Sequence, residues 1–501
     1  MNKAKKLFAL LLVAVFALAM SIPAFAAHNS TGSITIDGTT PGKTYDIYRI
    51  FDLTYDDSTP SKVAYTYNSD WVNFFVGGDG AGFISATNPG ALNEVIYQRT
   101  KNYINITDAN VSEVAQKALA YCSTKNPVDS KVGATGSTTI TFSNLPLGYY
   151  LVFPQGASIK VDNPAGTPAW NSICSLTSTN PSATVKVKAT YPTIEKTVDS
   201  AASVTKDVGD VATFEITGEV PDTTGYSQYT YKISDTMTEG LTFNKDVVVK
   251  FGSNTITDGR AASFTVDHGS LIYSVDGKGF TLSYDMTHYQ AYVGQKISVT
   301  YTAKVNSKAV NTLTQNDAHL DYSNDPSNTN QTERAPDPDP VQVYTNKIDV
   351  LAHEQGNEAI VLHDAEFVLL NSDGKFYKYD PATDDVDWVD NEADASHYRT
   401  DSDGKTAFPG IADGTYTLRE TAAPDGYNLV PDDITGIVAA HEDTANGPVG
   451  KTTLVKVPHT TGRLLPATGG VGTTIFFISG SVLLAAAVIV MITRKRSAVE
   501  A

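Results

Sequence analysis

Cysteine is nearly missing from this chain: its 501 residues hold two, Cys122 and Cys174. A disulfide framework of the kind that rigidifies small secreted domains is therefore excluded, because one bridge at most cannot staple a chain long enough for about three domains. Sequence alone leaves open whether the two thiols pair or stay as buried, inert groups. Basic residues are also short, 37 Lys and Arg against 55 Asp and Glu, for a net charge of −18. That balance argues against a nucleic-acid partner. Catalytic signatures are missing too. There is no His-Glu-x-x-His, no phosphate-cradling glycine loop and no convincing triad, and the nine histidines are scattered, so neither an enzyme nor a metal or cofactor site is expected. "NSDGK" and "DSDGK" are turn sequences without the flanking ligand series of a calcium loop. Long apolar runs are absent everywhere except at the two ends.

Those ends carry most of the information. "MNKAKK" is basic, "LFALLLVAVFALAM" is apolar, and Ala24-Phe25-Ala26 gives small residues in an A-x-A arrangement. The order predicts a secretory signal peptide over 1–26, cut before Ala27. At the other end, Val471 to Thr493 carries no charge and is long enough for a span of roughly 20 residues. Arg494, Lys495 and Arg496 follow it and hold that side in the cytoplasm, so the body lies outside the cell. Removing leader and tail leaves the exposed part more acidic still, as suits a soluble surface protein. Just before the span stands Leu465-Pro466-Ala467-Thr468-Gly469. A rigid proline and a glycine without a side chain suit an extended substrate in a narrow groove.

Between the ends the texture is Thr, Val, Tyr, Gly and Asp in short alternating runs such as "GSITIDG", "STTITF", "KISVTYTAKV" and "GTYTLRE". These read as half-buried strands between turns, hence an all-β chain of tandem immunoglobulin-like β-sandwiches in an elongated rod. The helical exception is Ala91 to Cys122, expected in two pieces. The second follows "TDAN", with Val111, Val114, Ala115, Ala118 and Leu119 at helical spacing. The pattern restarts at "ATYPTIEKTV", and the alternating Pro and Asp of "ERAPDPDP" predict a stiff extended connector around Pro336 to Pro340. The expected domains are 27–190, 191–343 and 344–462, with a sorting segment over 463–501.

Motif, apolar span and basic tail in that order resemble the LPxTG sorting signal of Gram-positive surface proteins. The whole chain resembles a sortase-assembled pilin subunit of the isopeptide-forming fimbrial type. Its last domain is similar to the B-type repeat of the collagen adhesin, through "GTYTLRETAAPDGYNLV". The resemblance implies a cell-wall-anchored surface protein whose partners are sortase, other pilin subunits, the peptidoglycan and a host surface ligand. Sortase would cut between Thr468 and Gly469, take the Thr468 carbonyl as a thioester, and pass it to an amine. In the family that amine belongs to a lysine between the first two domains. The matching stretch "NPSATVKVKATYPTIEK" places Lys188 nearest the expected position, with Lys186 two residues before it. The Tyr-Pro of the family motif is displaced here and not followed by Lys. A polymer shaft, a basal or tip subunit, and a monomeric wall-anchored adhesin therefore all stay open.

The resemblance also implies a side-chain amide between Lys and Asn, promoted by a carboxyl. A buried Lys loses its charge and becomes a nucleophile, and a buried acid can protonate the amide it attacks. In the middle domain the resemblance assigns Lys196 to the first strand, Asn316 to the last and Asp235 as the proton shuttle between them. In the last domain it assigns Lys347 and Glu420, but His459 in "VPHTTG" stands where the partner Asn belongs. Imidazole has no acyl carbon. Either the bond is absent there or another residue serves, Asn446 being the nearest upstream. Without a bond, Lys347 and Glu420 are expected as a buried ion pair. In the first domain "NLPLGYYLVFPQG" lacks the acid, so no amide is expected.

Overall fold

The computed structural model describes residues 30–88, 93–107, 110–122, 125–157, 173–177, 179–187, 190–223, 226–260, 265–325, 328–462 and 471–497. Alternating sequence becomes sheet almost throughout, and the strands fall into three consecutive sets with separate hydrophobic cores.

In the first set, Thr31–Asp37 lies between Thr139–Pro146 and Ser182–Lys186 in a three-stranded sheet. A second, eight-stranded sheet is centred on the long strand Thr44–Asp56. The helix Val111–Cys122 turns Val114, Ala115, Ala118, Leu119 and Cys122 into the core. This is the second of the two expected helical pieces. The first is corrected: the described residues form a hairpin, Asn93–Tyr97 with Thr100–Ile104. Gln98 and Arg99 make its two-residue turn with positive φ, 49° and 65°, the geometry that matches strand twist. Val95 pairs with Tyr65 on Thr59–Tyr67 and is fully buried. Pairing to an existing sheet overrides the helical reading of that stretch.

The middle set is a two-sheet sandwich. One sheet runs Glu195–Val198, Val211–Glu219, Lys296–Val305, Val248–Phe251, Asn254–Asp258, with Leu241–Phe243 also on Lys296–Val305. The other runs Ser203–Thr205, Val341–Tyr344, Gln315–Ser323, Thr230–Met237, Gly279–Asp285, Gly269–Tyr273. Inward residues alternate along each strand, as Ile297, Val299, Tyr301, Ala303 and Val305 do on Lys296–Val305. The Pro-Asp run precedes Val341–Tyr344, which is still a strand of this sandwich. It is a loop within the set and not a connector between domains. Asn316 accordingly lies on an inner strand, and the last strand of the set is Val341–Tyr344.

In the last set Asn346–Glu354 is flanked by Lys405–Ile411 and, in parallel, by Thr452–His459. A six-stranded sheet covers them, with Glu366–Leu370 and Gly414–Ala422 at its centre. Beyond, the helix Val471–Ser497 contains a 20-residue apolar stretch, Ile475–Arg494, long and apolar enough to cross a membrane.

Candidate functional site

The sandwich brings Lys196, Asp235 and Asn316 together in the space between its sheets. Lys196 comes from Glu195–Val198 in the first sheet, inward because its register partner is Ile216. Asp235 and Asn316 come from adjacent strands of the second. Asn316 faces Met237, so Asp235, two residues back on the same face, is its diagonal neighbour. Lys196 Nζ lies 2.6 Å from Asp235 Oδ2, and both side chains are fully out of solvent. Asn316 is also fully buried.

A fourth residue joins them. The Tyr301 hydroxyl donates to Asp235 Oδ2 and accepts from Asn316 Nδ2 at 3.1 Å. Its ring stacks on Phe214 and meets Phe280 and Phe243 edge-on, with centroids 5.5, 5.0 and 5.9 Å apart. These rings exclude water, and the exclusion decides the electrostatics. Burial lowers the Lys196 ammonium pKa, with Asp235 pulling the other way. Burial raises the Asp235 carboxyl, opposed by Lys196 and Tyr301. Both shifts favour moving the proton from nitrogen to carboxylate, which turns a buried salt bridge into a neutral amine beside a neutral acid. Asp235 Oδ1 and Asn316 Oδ1 are buried with no hydrogen-bond partner.

Sequence reasoning missed Tyr301. Its signal was the "KISVTYTAKV" alternation, which places a tyrosine among inward aliphatic residues, where its hydroxyl needs a partner.

The last domain differs from expectation. Lys347 does not meet Glu420. It pairs with Asp349 at 2.9 Å and its side chain is 29% exposed. Glu420 instead binds His459, Oε1 to Nε2 at 2.6 Å, with both side chains essentially fully buried. Its second oxygen accepts from Val430 N at 2.7 Å. Strand register explains the outcome. Lys347 lies opposite Thr452, whereas His459 lies opposite Glu354, seven residues further along the same strand, roughly 23 Å away. Asn446 is exposed in a hairpin turn and serves neither group.

Lys186 ends the strand Ser182–Lys186 with its side chain exposed between buried Val185 and Val187. Lys188 and the segment Leu465 to Gly469 lie outside the described residues. Cys122 and Cys174 are free thiols. Cys122 Sγ points back to the Leu119 carbonyl at 3.2 Å within its own helix, and Cys174 sits on a strand opposite Tyr150. Burial raises the pKa of both thiols. Among the described residues no group of three or more His, Cys, Asp or Glu could hold a metal.

Residues 208–326 match the family described as Gram-positive pilin backbone subunit 2, Cna-B-like domain. Residues 347–447 match the SpaA prealbumin-like fold domain. The trypsin-resistant surface T6 protein of Streptococcus pyogenes serotype M6 is 25% identical over 264 residues, 48% of this chain and 45% of that protein. The chain thus spans about half the length of the curated relative it matches. The solved T6 backbone pilin of serotype M6 Streptococcus pyogenes superposes with a TM-score of 0.53 over 87% of this chain and 99% of that one, at 16% identity. The major pilin SpaD of Corynebacterium diphtheriae gives a TM-score of 0.47 over 86% and 98%, at 18% identity. In domain content the chain carries a segment matching a Gram-positive pilin backbone domain and a segment matching a SpaA prealbumin-like domain, and its fold is like that of a solved backbone pilin.

Proposed function

We propose that this chain is a structural subunit of a covalently polymerised pilus on a Gram-positive cell surface. The apolar helix holds the exported chain at the membrane while sortase cuts between Thr468 and Gly469. The Thr468 carbonyl then passes from the sortase thiol to a lysine amine of the next subunit, or to an amine of the cell wall. Lys188 is the favoured acceptor and Lys186 the second, whose exposure supports that role. Within the middle domain, Lys196 Nζ displaces Asn316 Nδ2 as ammonia while Asp235 carries the proton. The resulting amide ties the two sheets of the sandwich together.

One observation carries this reading: Lys196, Asp235 and Asn316 meet out of solvent, with Asp235 and Asn316 inside the segment that matches a pilin backbone domain and Lys196 on the strand just before it. The polymer is tested by denaturing immunoblots of wall extracts. Wild type should give a high-mass ladder, and Lys188→Ala should collapse it. A ladder that survives Lys188→Ala and collapses with Lys186→Ala would move the joint. A single wall-linked species in wild type would contradict polymerisation.

A further inference from the structure

We propose that the Tyr301 hydroxyl is the group that hands a proton to the departing nitrogen of Asn316. The inference rests on the amide-forming reading above and deepens it. In that reaction the Lys196 Nζ–Asn316 Cγ bond forms and the Cγ–Nδ2 bond breaks. Nζ must shed a proton, and Nδ2 must gain one to leave as ammonia. Asp235 Oδ2 is placed to take the first, since it touches Nζ at 2.6 Å. No direct hydrogen bond links that carboxyl to Nδ2 among the contacts of the site. Tyr301 fills the gap, with its oxygen touching Asp235 Oδ2 on one side and Nδ2 at 3.1 Å on the other.

The relay balances. Attack by neutral Nζ beside the neutral Asp235 acid gives a tetrahedral oxyanion bearing a cationic secondary amine. Nδ2, no longer conjugated, gains a lone pair that rotation about Cγ–Nδ2 turns toward the Tyr301 hydroxyl. Tyr301 donates its O–H proton to Nδ2 and takes the proton from Asp235. The oxyanion re-forms the carbonyl as ammonia leaves, the cationic nitrogen gives its proton to the Asp235 carboxylate, and Asp235 and Tyr301 end as they began. No oxidant, metal or external base enters. The ring is clamped by Phe214, Phe243 and Phe280, so the hydroxyl is fixed without needing its own hydrogen bonds to hold it. Burial and the neighbouring carboxyl raise its pKa, which keeps it a donor. Because it touches a reacting atom, Tyr301 counts as catalytic.

The test follows ammonia loss after cell-free synthesis of the mature chain, quenched at timed intervals and read by intact mass and by the cross-linked peptide pair holding Lys196 and Asn316. Tyr301→Phe keeps the ring and removes the hydroxyl. It should slow bond formation by about a hundredfold or more, the usual contribution of a positioned acid. A second chain carries 3,5-difluorotyrosine at position 301, which keeps ring and hydroxyl but makes the phenol more acidic, and its rate should differ from that of tyrosine. If Tyr301→Phe reacts as fast as wild type, the proposal fails. If it is slow but difluorotyrosine reacts like tyrosine, the hydroxyl only positions Asn316 and the relay fails. If Tyr301→Phe does not fold, the difluorotyrosine rate decides. If wild type itself never loses ammonia, the amide-forming reading fails instead.

Discussion

At the scale of single residues, the middle site and the last-domain site use the same kind of buried acid for opposite ends. Asp235 sits against an amine and, through Tyr301, reaches an amide, so it can carry protons while a bond forms between them. Glu420 sits against an imidazole and a backbone N–H and can only hold. Asn316→Ala should therefore leave Lys196 without a covalent partner and give a mature chain with the full mass of its sequence. An amide from residue 196 to 316 closes a loop of over a hundred residues, so its loss should cost on the order of 5 kcal/mol by chain entropy, read as a lower thermal midpoint. His459→Ala removes the partner of a buried carboxylate and should destabilise the last domain by about 3 kcal/mol. His459→Asn restores the residue type that the family pattern calls for, yet should not create an amide. Lys347 stands roughly 23 Å along the strand from that position and is engaged with Asp349. Intact mass checks this, and a lost ammonia in His459→Asn would overturn the account of the last domain.

At the scale of elements, strand alternation made most of the fold legible. "KISVTYTAKV" and "GTYTLRE" are strands of the expected kind, and the helix after "TDAN" stands where its spacing put it. The hairpin over Asn93–Ile104 was not legible. Its turn uses Gln98 and Arg99 at positive φ, where Asn and Gly would have announced it, and its pairing to Thr59–Tyr67 is non-local. Replacing Gln98-Arg99 with Asn-Gly should relieve that backbone cost and stabilise the first domain by roughly 1–2 kcal/mol, seen as a raised thermal midpoint. For the site, Lys196, Asp235 and Asn316 were readable only through the family resemblance, and the structure puts all three at buried strand positions. The position of Lys347 was not, because a matching local motif says nothing of register. The parallel pairing of Asn346–Glu354 with Thr452–His459 decides which residues meet. Tyr301 was overlooked because an inward tyrosine on a strand looks like ordinary core.

At the scale of the whole molecule, the three strand sets are joined by buried polar contacts as well as by chain. Lys43 of the first set reaches Tyr322 at 2.6 Å and Glu333 at 2.9 Å in the middle set, with the Tyr191 ring 4.6 Å from its ammonium. Between the middle and last sets, Val208 is buried in the last hydrophobic core. It exchanges backbone hydrogen bonds with Gly410 and Val386. Beside it, Asp207 accepts from Trp388 Nε1 at 2.8 Å and from Ala412 N at 2.6 Å. A short segment of one sandwich is thus built into the next. Val208→Asp places a charge in that core and should separate a shared unfolding transition into two in calorimetry. An unchanged single transition would contradict the coupling. Such joints would suit the proposed subunit, which has to carry tension from one covalent link to the next.

The most direct test of the central claim is the intact mass of the mature chain purified from wild type, beside Asp235→Ala and Asn316→Ala. The account predicts a wild-type mass short by one ammonia, full mass in both variants, and a cross-linked peptide pair containing Lys196 and Asn316 in wild type alone. A wild-type mass equal to that of its sequence would show that the buried set forms no bond and contradict the account.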